Sequence, residues 1–314
     1  MTEKVFIKGT FLDEISHDIP HQNWGKKEWS LDFKYMKSVG IDKVILIRCG
    51  HKNWITYPSK VLAMEQKAIT PNTDLVALFL RLSEENEMDF YFGLYDSGKY
   101  WTSGAYKEEV SLNCKVIDEV WERYGNQKAF KGWYLSQECN KNIGGIIDLY
   151  AHLGQYCKQV SCGLPVLISP YIDGVKNISQ YTAQSKREQT ITLDEHFKTW
   201  ETIFKGIQKS VDIVAFQDGH VEYDQLEDFI KVNKSLADQN QMTSWINSET
   251  FDRDMPIKFL PIKWDKLRYK LEIAGQTGIS EAITFEFSHF MSPQSAYPQA
   301  GHLYRRYQEY LKEK

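Results

Sequence analysis

Two glutamates stand at comparable places in the chain. Gly132-Trp133-Tyr134-Leu135-Ser136-Gln137-Glu138 and Trp245-Ile246-Asn247-Ser248-Glu249-Thr250-Phe251 are each a β-rich run followed by a glutamate among small or polar neighbours. A lone glutamate after a strand is more often a helix N-terminal residue or a solvated charge. A pair brought together can hydrolyse a glycoside, one acid protonating the leaving oxygen while the other attacks or activates water. Glu138 and Glu249 are therefore the candidate catalytic residues. Asp13, Glu14, Asp96, Asp173, Asp218 and Glu286 follow or end other apolar runs. They leave open a pair such as Glu138 with Asp218 or Glu286. Alternation along Glu281–Phe287 predicts Thr284, Glu286 and Ser288 facing inward, with Ile283, Phe285 and Phe287 facing helices.

Other chemistries find less support. The 8 His are dispersed. His17 and His21 are four apart, but Pro20 argues against one helical face. Asp96, Glu138 and Asp173 could hold magnesium, yet the chain enters its first strand at once, without an N-terminal capping domain. Residues 249–263 and 288–300 contain no glycine, which disfavours a phosphate nest. Cys139, beside Glu138, has no nearby histidine and is expected to be a packed thiol. No metal and no cofactor is expected.

Positioning such a pair requires a frame, and the hydrophobic pattern predicts one. Strand-like runs recur at intervals of about 30–45 residues: 5–12, 43–48, 89–95, 130–135, 165–169, 212–216, 242–247 and 281–287. Amphipathic helical stretches lie between them, such as Glu28 to Ser38, Asp74 to Glu85 and Tyr106 to Tyr124. Eight alternations predict an α/β chain folded as a single (β/α)8 TIM barrel over residues 1–314. A doubly wound sheet is the rival, but no Gly-rich turn follows the first strand. Helix-to-strand connections are short and strand-to-helix connections long, which places the working end at the strands' C-termini.

Composition narrows the partners. A net charge of -4 leaves no broad basic surface, so nucleic acid is not an expected partner. No stretch approaches a membrane span, and no secretory signal is visible, so a cytoplasmic location is expected. Five scattered cysteines predict thiols rather than a disulfide framework. Aromatic residues reach 14%, and sugars stack their C–H faces on such rings. Trp24, Trp54 and Trp101 fall in strand-to-helix loops, with Tyr57, Tyr95, Tyr100, Tyr171, Tyr181 and Tyr297. A ring-lined, carbohydrate-binding cleft above the two glutamates is the expectation.

The strand-four and strand-seven glutamates resemble those of the large clan of retaining glycosidases built on (β/α)8 barrels. The resemblance implies Glu138 as acid/base, Glu249 as nucleophile, and Arg48 as the cation orienting that nucleophile. The chain departs from the clan at Gln137, where asparagine is usual, and at Tyr95-Asp96, where a histidine is usual. A second resemblance spans nearly the whole chain. It is carried by Gly9-Thr10-Phe11-Leu12-Asp13-Glu14, Asp18-Ile19-Pro20-His21-Gln22-Asn23-Trp24, Tyr35-Met36-Lys37-Ser38-Val39-Gly40-Ile41-Asp42, Gly132-Trp133-Tyr134 and Phe216-Gln217-Asp218-Gly219. These runs are similar to the bacterial domain-of-unknown-function 4434 family, regarded as a glycosidase-like barrel. The implied partner is a carbohydrate, with Arg48, Trp24, Trp54, Tyr95, Asp96, Trp101, Gln137, Tyr171, Asp218 and Glu286 as candidate substrate contacts. A barrel that binds carbohydrate without hydrolysing it is the alternative.

Overall fold

A computed structural model describes residues 4–16, 19–178, 190–253 and 259–313. His17 and Tyr181 lie outside them. Eight parallel strands close into a barrel: β1 Ile7–Leu12, β2 Lys43–Leu46, β3 Asp89–Gly93, β4 Phe130–Leu135, β5 Val166–Ile168, β6 Ile213–Gln217, β7 Thr243–Asn247 and β8 Ala282–Thr284. Each pairs with its sequence neighbours, and β8 closes the ring on β1. The shell is α1 Lys26–Ser38, α2 Leu75–Glu85, α3 Tyr106–Tyr124, α4 Ile146–Val160, α5 Leu193–Ile207, α6 Tyr223–Gln239, α7 Trp264–Gln276 and α8 Pro298–Lys312.

Local chemistry starts several of these helices. The Asp74 carboxylate accepts from Ala77 N–H at the head of α2. Thr192 and Glu195 cap α5 reciprocally, satisfying N–H groups that have no helical partner. Burial on both faces of the sheet then explains the strands' continuous apolar character. Phe11, Ile45, Ile47, Tyr91, Tyr134, Leu167, Ala215, Trp245 and Ile283 fill the barrel interior as one cluster. Their neighbours one residue away, including Val44, Leu46, Phe92, Trp133, Val166, Val214 and Ile246, pack against the helices.

That alternation reverses the expectation for strand eight. Ile283 faces the barrel interior and Phe285 packs against the same cluster. Thr284 and Glu286 fall on the other face, fully buried. The interior of a narrow barrel is filled by layers of bulky apolar side chains, and this requirement outweighs the preference of polar groups for the mouth. Regular β8 also ends at Thr284, and the Phe285–Glu286 peptide bond is cis. Strand three is likewise shorter than its apolar run: after Gly93, Tyr95–Asp96 joins Gly50–His51 and Trp54–Ile55 in a small separate sheet.

Candidate active site

Inward parity carried past the strand ends defines the site. From Tyr134 on β4 the same parity reaches Glu138, and from Trp245 on β7 it reaches Asn247 and Glu249. From Leu167 it reaches Tyr171, from Ala215 Gln217, and from Ile283 Phe285. All six line one cavity of about 230 Å³, together with Ser16, Ile19, Ile47, Arg48, His220, Phe251, Arg253 and Phe259. The two expected glutamates thus reach a common space from strands well separated around the barrel.

Their surroundings differ. The Tyr134 hydroxyl, on the inner face four residues earlier, donates to Glu138 Oε1 at 2.9 Å. Arg48 lies near it: burial works against the guanidinium's charge, but Glu138, Asp13 and Asp96 outweigh burial and raise its pKa. Glu249 is almost fully buried. Arg253 grips both its oxygens, Nε to Oε2 at 2.8 Å and Nη2 to Oε1 at 2.7 Å. Burial alone would raise the Glu249 pKa, yet Arg253 above all, with Lys270, pulls it below the ordinary value. Glu249 is therefore held as a carboxylate.

A buried pair stands behind Glu249. Lys270 Nζ donates to Asp218 Oδ1 at 2.7 Å and to the Glu249 carbonyl at 3.2 Å. Asp218 Oδ1 also accepts from Glu249 N–H at 3.1 Å. Burial raises the Asp218 pKa and Lys270 offsets part of that rise. Gly219 makes room in front: a Cβ there would lie 1.6 Å from Glu249 Oε2. Asn247 is fixed by accepting from Phe285 N–H at 3.0 Å and donating to Ser169 Oγ at 3.0 Å.

Several expected contacts lie elsewhere. Trp54 is 59% exposed on its short strand, outside the cavity lining. Trp24 packs edge-on against Trp29 at 5.1 Å, and Trp101 donates its ring N–H to Asp96 Oδ1 at 3.0 Å. Among the described residues no tryptophan lines the cavity; the rings that do are Tyr171, His220, Phe251, Phe259 and Phe285. Trp24 and Trp101 here fasten loops, because a large ring is stabilised by the surface it covers. Tyr95 is buried with its hydroxyl on the Lys52 carbonyl. Gln137 is buried, donating to the Tyr95 carbonyl at 2.9 Å and to Glu109 at 3.2 Å. Both therefore support the frame.

Asp96 accepts from Gly98 N–H and Trp101, and meets Arg48 at 3.4 Å. Burial opposes its ionisation, but the His51 contact, Arg48 and these N–H donors lower its pKa. Glu286 caps the short helix Phe287–Phe290 and pairs with His289 at 2.5 Å. Neither Glu286 nor Asp218 lines the cavity, which leaves the alternative pairings with Glu138 without a shared space. Arg48 does line it, but the cation on Glu249 is Arg253, contributed by a loop whose path the strand pattern does not encode.

Gln217, His220, Asn247, Arg253 and Phe285 were not singled out as candidates. Inward parity would have found Gln217, Asn247 and Phe285. Arg253 and His220 have no such signal. Among the described residues no group of three or more His, Cys, Asp and Glu could hold a metal ion, so Asp96, Glu138 and Asp173 do not form such a site. All five cysteines are free, and Cys139 is buried against Tyr150.

A family model described as a domain of unknown function (DUF4434) matches residues 7–297. No curated protein matches the chain. Among solved structures, a "putative alpha-L-fucosidase" from Bacteroides thetaiotaomicron VPI-5482 is 56% identical, with a TM-score of 0.94, 99% of this chain and 94% of that chain covered. The endo-1,4-beta-D-mannanase of Thermotoga petrophila RKU-1 is 8% identical at a TM-score of 0.58, over 98% of this chain and 100% of that one. The intracellular xylanase TsXylA of Thermoanaerobacterium saccharolyticum JW/SL-YS485 is 11% identical at a TM-score of 0.51, over 90% and 85%. The last two likenesses concern the fold alone.

Proposed function

The chain belongs to the DUF4434 family, and we propose that it is a glycoside hydrolase using Glu138 and Glu249. One observation carries the reading: the two carboxylates come from β4 and β7 into one cavity and sit in different electrostatic settings. Glu249, held ionised, is in the state a nucleophile needs, and Glu138 faces the same space as the candidate proton donor. The 56% identical relative supports α-L-fucosides as the first substrates to test.

In the retaining form of this reaction, a Glu249 oxygen attacks the anomeric carbon as the glycosidic C–O bond breaks. Glu138 gives its proton to the departing oxygen. Glu138 then takes a proton from water, whose oxygen attacks the same carbon and releases Glu249. Tyr134 holds Glu138 by its hydrogen bond, and Arg48 presents a positive charge near it. Arg253 keeps Glu249 ionised and aimed, and one of its two hydrogen bonds must lengthen as the attacking oxygen forms its new bond.

The test is a panel of p-nitrophenyl glycosides including the α-L-fucoside, with the wild type beside Glu138→Gln and Glu249→Gln. Wild-type turnover should give first the anomer of unchanged configuration by NMR, and each variant should lose about 10²–10⁴-fold. Turnover unchanged in both variants would remove the assignment, and an inverted first product would remove the nucleophile role. The full engagement of Glu249 by Arg253 favours one other reading, a barrel that binds carbohydrate without cleaving it. Binding without turnover, left intact by Glu138→Gln, would select it.

A further inference from the structure

His220 follows Gln217-Asp218-Gly219 at the end of β6 and lines the same cavity as the two glutamates. Its backbone is fixed from the β5 side. The His220 carbonyl accepts from Lys176 N–H at 3.1 Å. A Cβ on Gly174 would come within 2.3 Å of that carbonyl oxygen, so the two segments are in close contact. The ring packs on Tyr171, centroids 5.2 Å apart. Backbone and ring of His220 are therefore both held from the β5 side.

Its polar atoms are less well provided for. Nδ1 is buried and accepts or donates no hydrogen bond. Native proteins leave few buried nitrogens without a ligand or water to satisfy them. Burial, with Arg253 adding its charge, pulls the His220 pKa down to about 4. The ring is then neutral at pH 7, with one nitrogen donating and the other accepting. Glu249, Asp173 and Lys176 also act on it.

We infer that His220 is a substrate-binding residue that hydrogen-bonds a sugar hydroxyl next to the carbon Glu249 would attack. A neutral imidazole suits this role, since a hydroxyl can both give and receive a hydrogen bond, whereas an imidazolium would only donate. The inference rests on the reading of the cavity as a sugar site, but it concerns binding and needs no turnover.

The experiment uses the full chain carrying Glu138→Gln, ¹⁵N-labelled at histidine, with the His220 ring signals assigned by comparison with His220→Gln. L-Fucose is titrated in at pH 7 and affinity is read in parallel by calorimetry. The ring nitrogens of His220 should shift on saturation while those of buried His289 stay in place. His220→Leu should bind L-fucose about ten- to a hundredfold more weakly. His220→Gln, which keeps a donor and an acceptor, should recover most of that loss. Thermal melting of both variants separates lost binding from lost folding. L-Fucose binding with unmoved His220 signals and unchanged affinity in His220→Leu would overturn this inference alone. If L-fucose does not bind and no glycoside in the panel is cleaved, the sugar-site reading falls and this inference with it.

Discussion

Arg253 binds Glu249, four residues earlier in the chain, through two parallel hydrogen bonds at 2.8 and 2.7 Å. The guanidinium also lies over the rings of Phe251 and Phe259, 4.8 and 5.7 Å from their centroids. The fork geometry fixes the carboxylate plane, and the rings fix the fork. Arg253→Met should leave Glu249 as a buried charge without its main partner. Its pKa should rise, moving the acidic limb of kcat/KM to higher pH. Unfolding in urea at pH 7 should cost about 3–5 kcal/mol less. Arg253→Lys should restore charge without the fork and fall between. An acidic limb that does not move would show that Glu249 is not the group titrating there.

Gly219 bears on the same carboxylate by what it lacks. Gly219→Ala places a methyl where Glu249 Oε2 now lies, 1.6 Å away. Displacing the carboxylate by an ångström is the kind of shift that costs about 10²-fold in rate. Turnover should fall by that order while the far-UV circular dichroism stays native. Undiminished turnover would mean that the position of Glu249 does not matter.

Asp218 and Lys270 form a buried pair that also holds the Glu249 backbone at both its N–H and its carbonyl. Lys270→Met should destabilise the protein by about 3–5 kcal/mol, since Asp218 is left buried and unpaired. Adding Asp218→Asn should recover part of the loss in urea unfolding. Fully additive effects would contradict the pairing.

Stability should decline from mildly acidic to alkaline pH, for a reason visible near α1 and β8. Burial pushes Asp32 and Glu14 up to about 7 from ordinary values of 3.8 and 4.5. Burial lowers His289, but Glu286 and the Pro20 carbonyl outweigh it and push the ring up to about 9 from 6.5. In each case the folded chain binds a proton more tightly than the unfolded chain, so folding weakens as pH rises through the interval. The carboxyls act between about pH 4 and 7, and His289 between about 6.5 and 9. Glu249 and Asp96 have the opposite sign, and their contribution is lost as pH falls through their lowered values. His196 and His220, both lowered from 6.5 to about 4 by burial, also have the opposite sign and offset the two carboxyls between about pH 4 and 6.5. The net fall in melting temperature should therefore come above about pH 6.5, and Asp32→Asn should raise stability at pH 7 relative to pH 4. An Asp32→Asn profile parallel to the wild type between pH 4 and 7 would refute the Asp32 assignment.

The barrel was legible because a strand's environment is repeated along its length. Runs such as Lys43–Leu46 and Ile213–Gln217 are apolar on both faces, and that is a local, periodic property. Glu138 and Glu249 were legible for a related reason: each follows its strand closely, three residues after Leu135 and two after Asn247. Glu286 was misread because its polarity, rather than the parity set by Ile283, was used to choose its face.

Residue types and spacing in the sequence determine the eight strands, their parallel order and the two glutamates at the mouth. Only the tertiary structure decides that Arg253 rather than Arg48 holds Glu249, that His220 joins the cavity, and that Trp24, Trp54 and Trp101 do not. The strand period is set by neighbours two residues away, so it can be read along the chain. The partner of a buried charge depends on how loops from different strands cross, and no local repeat records that path.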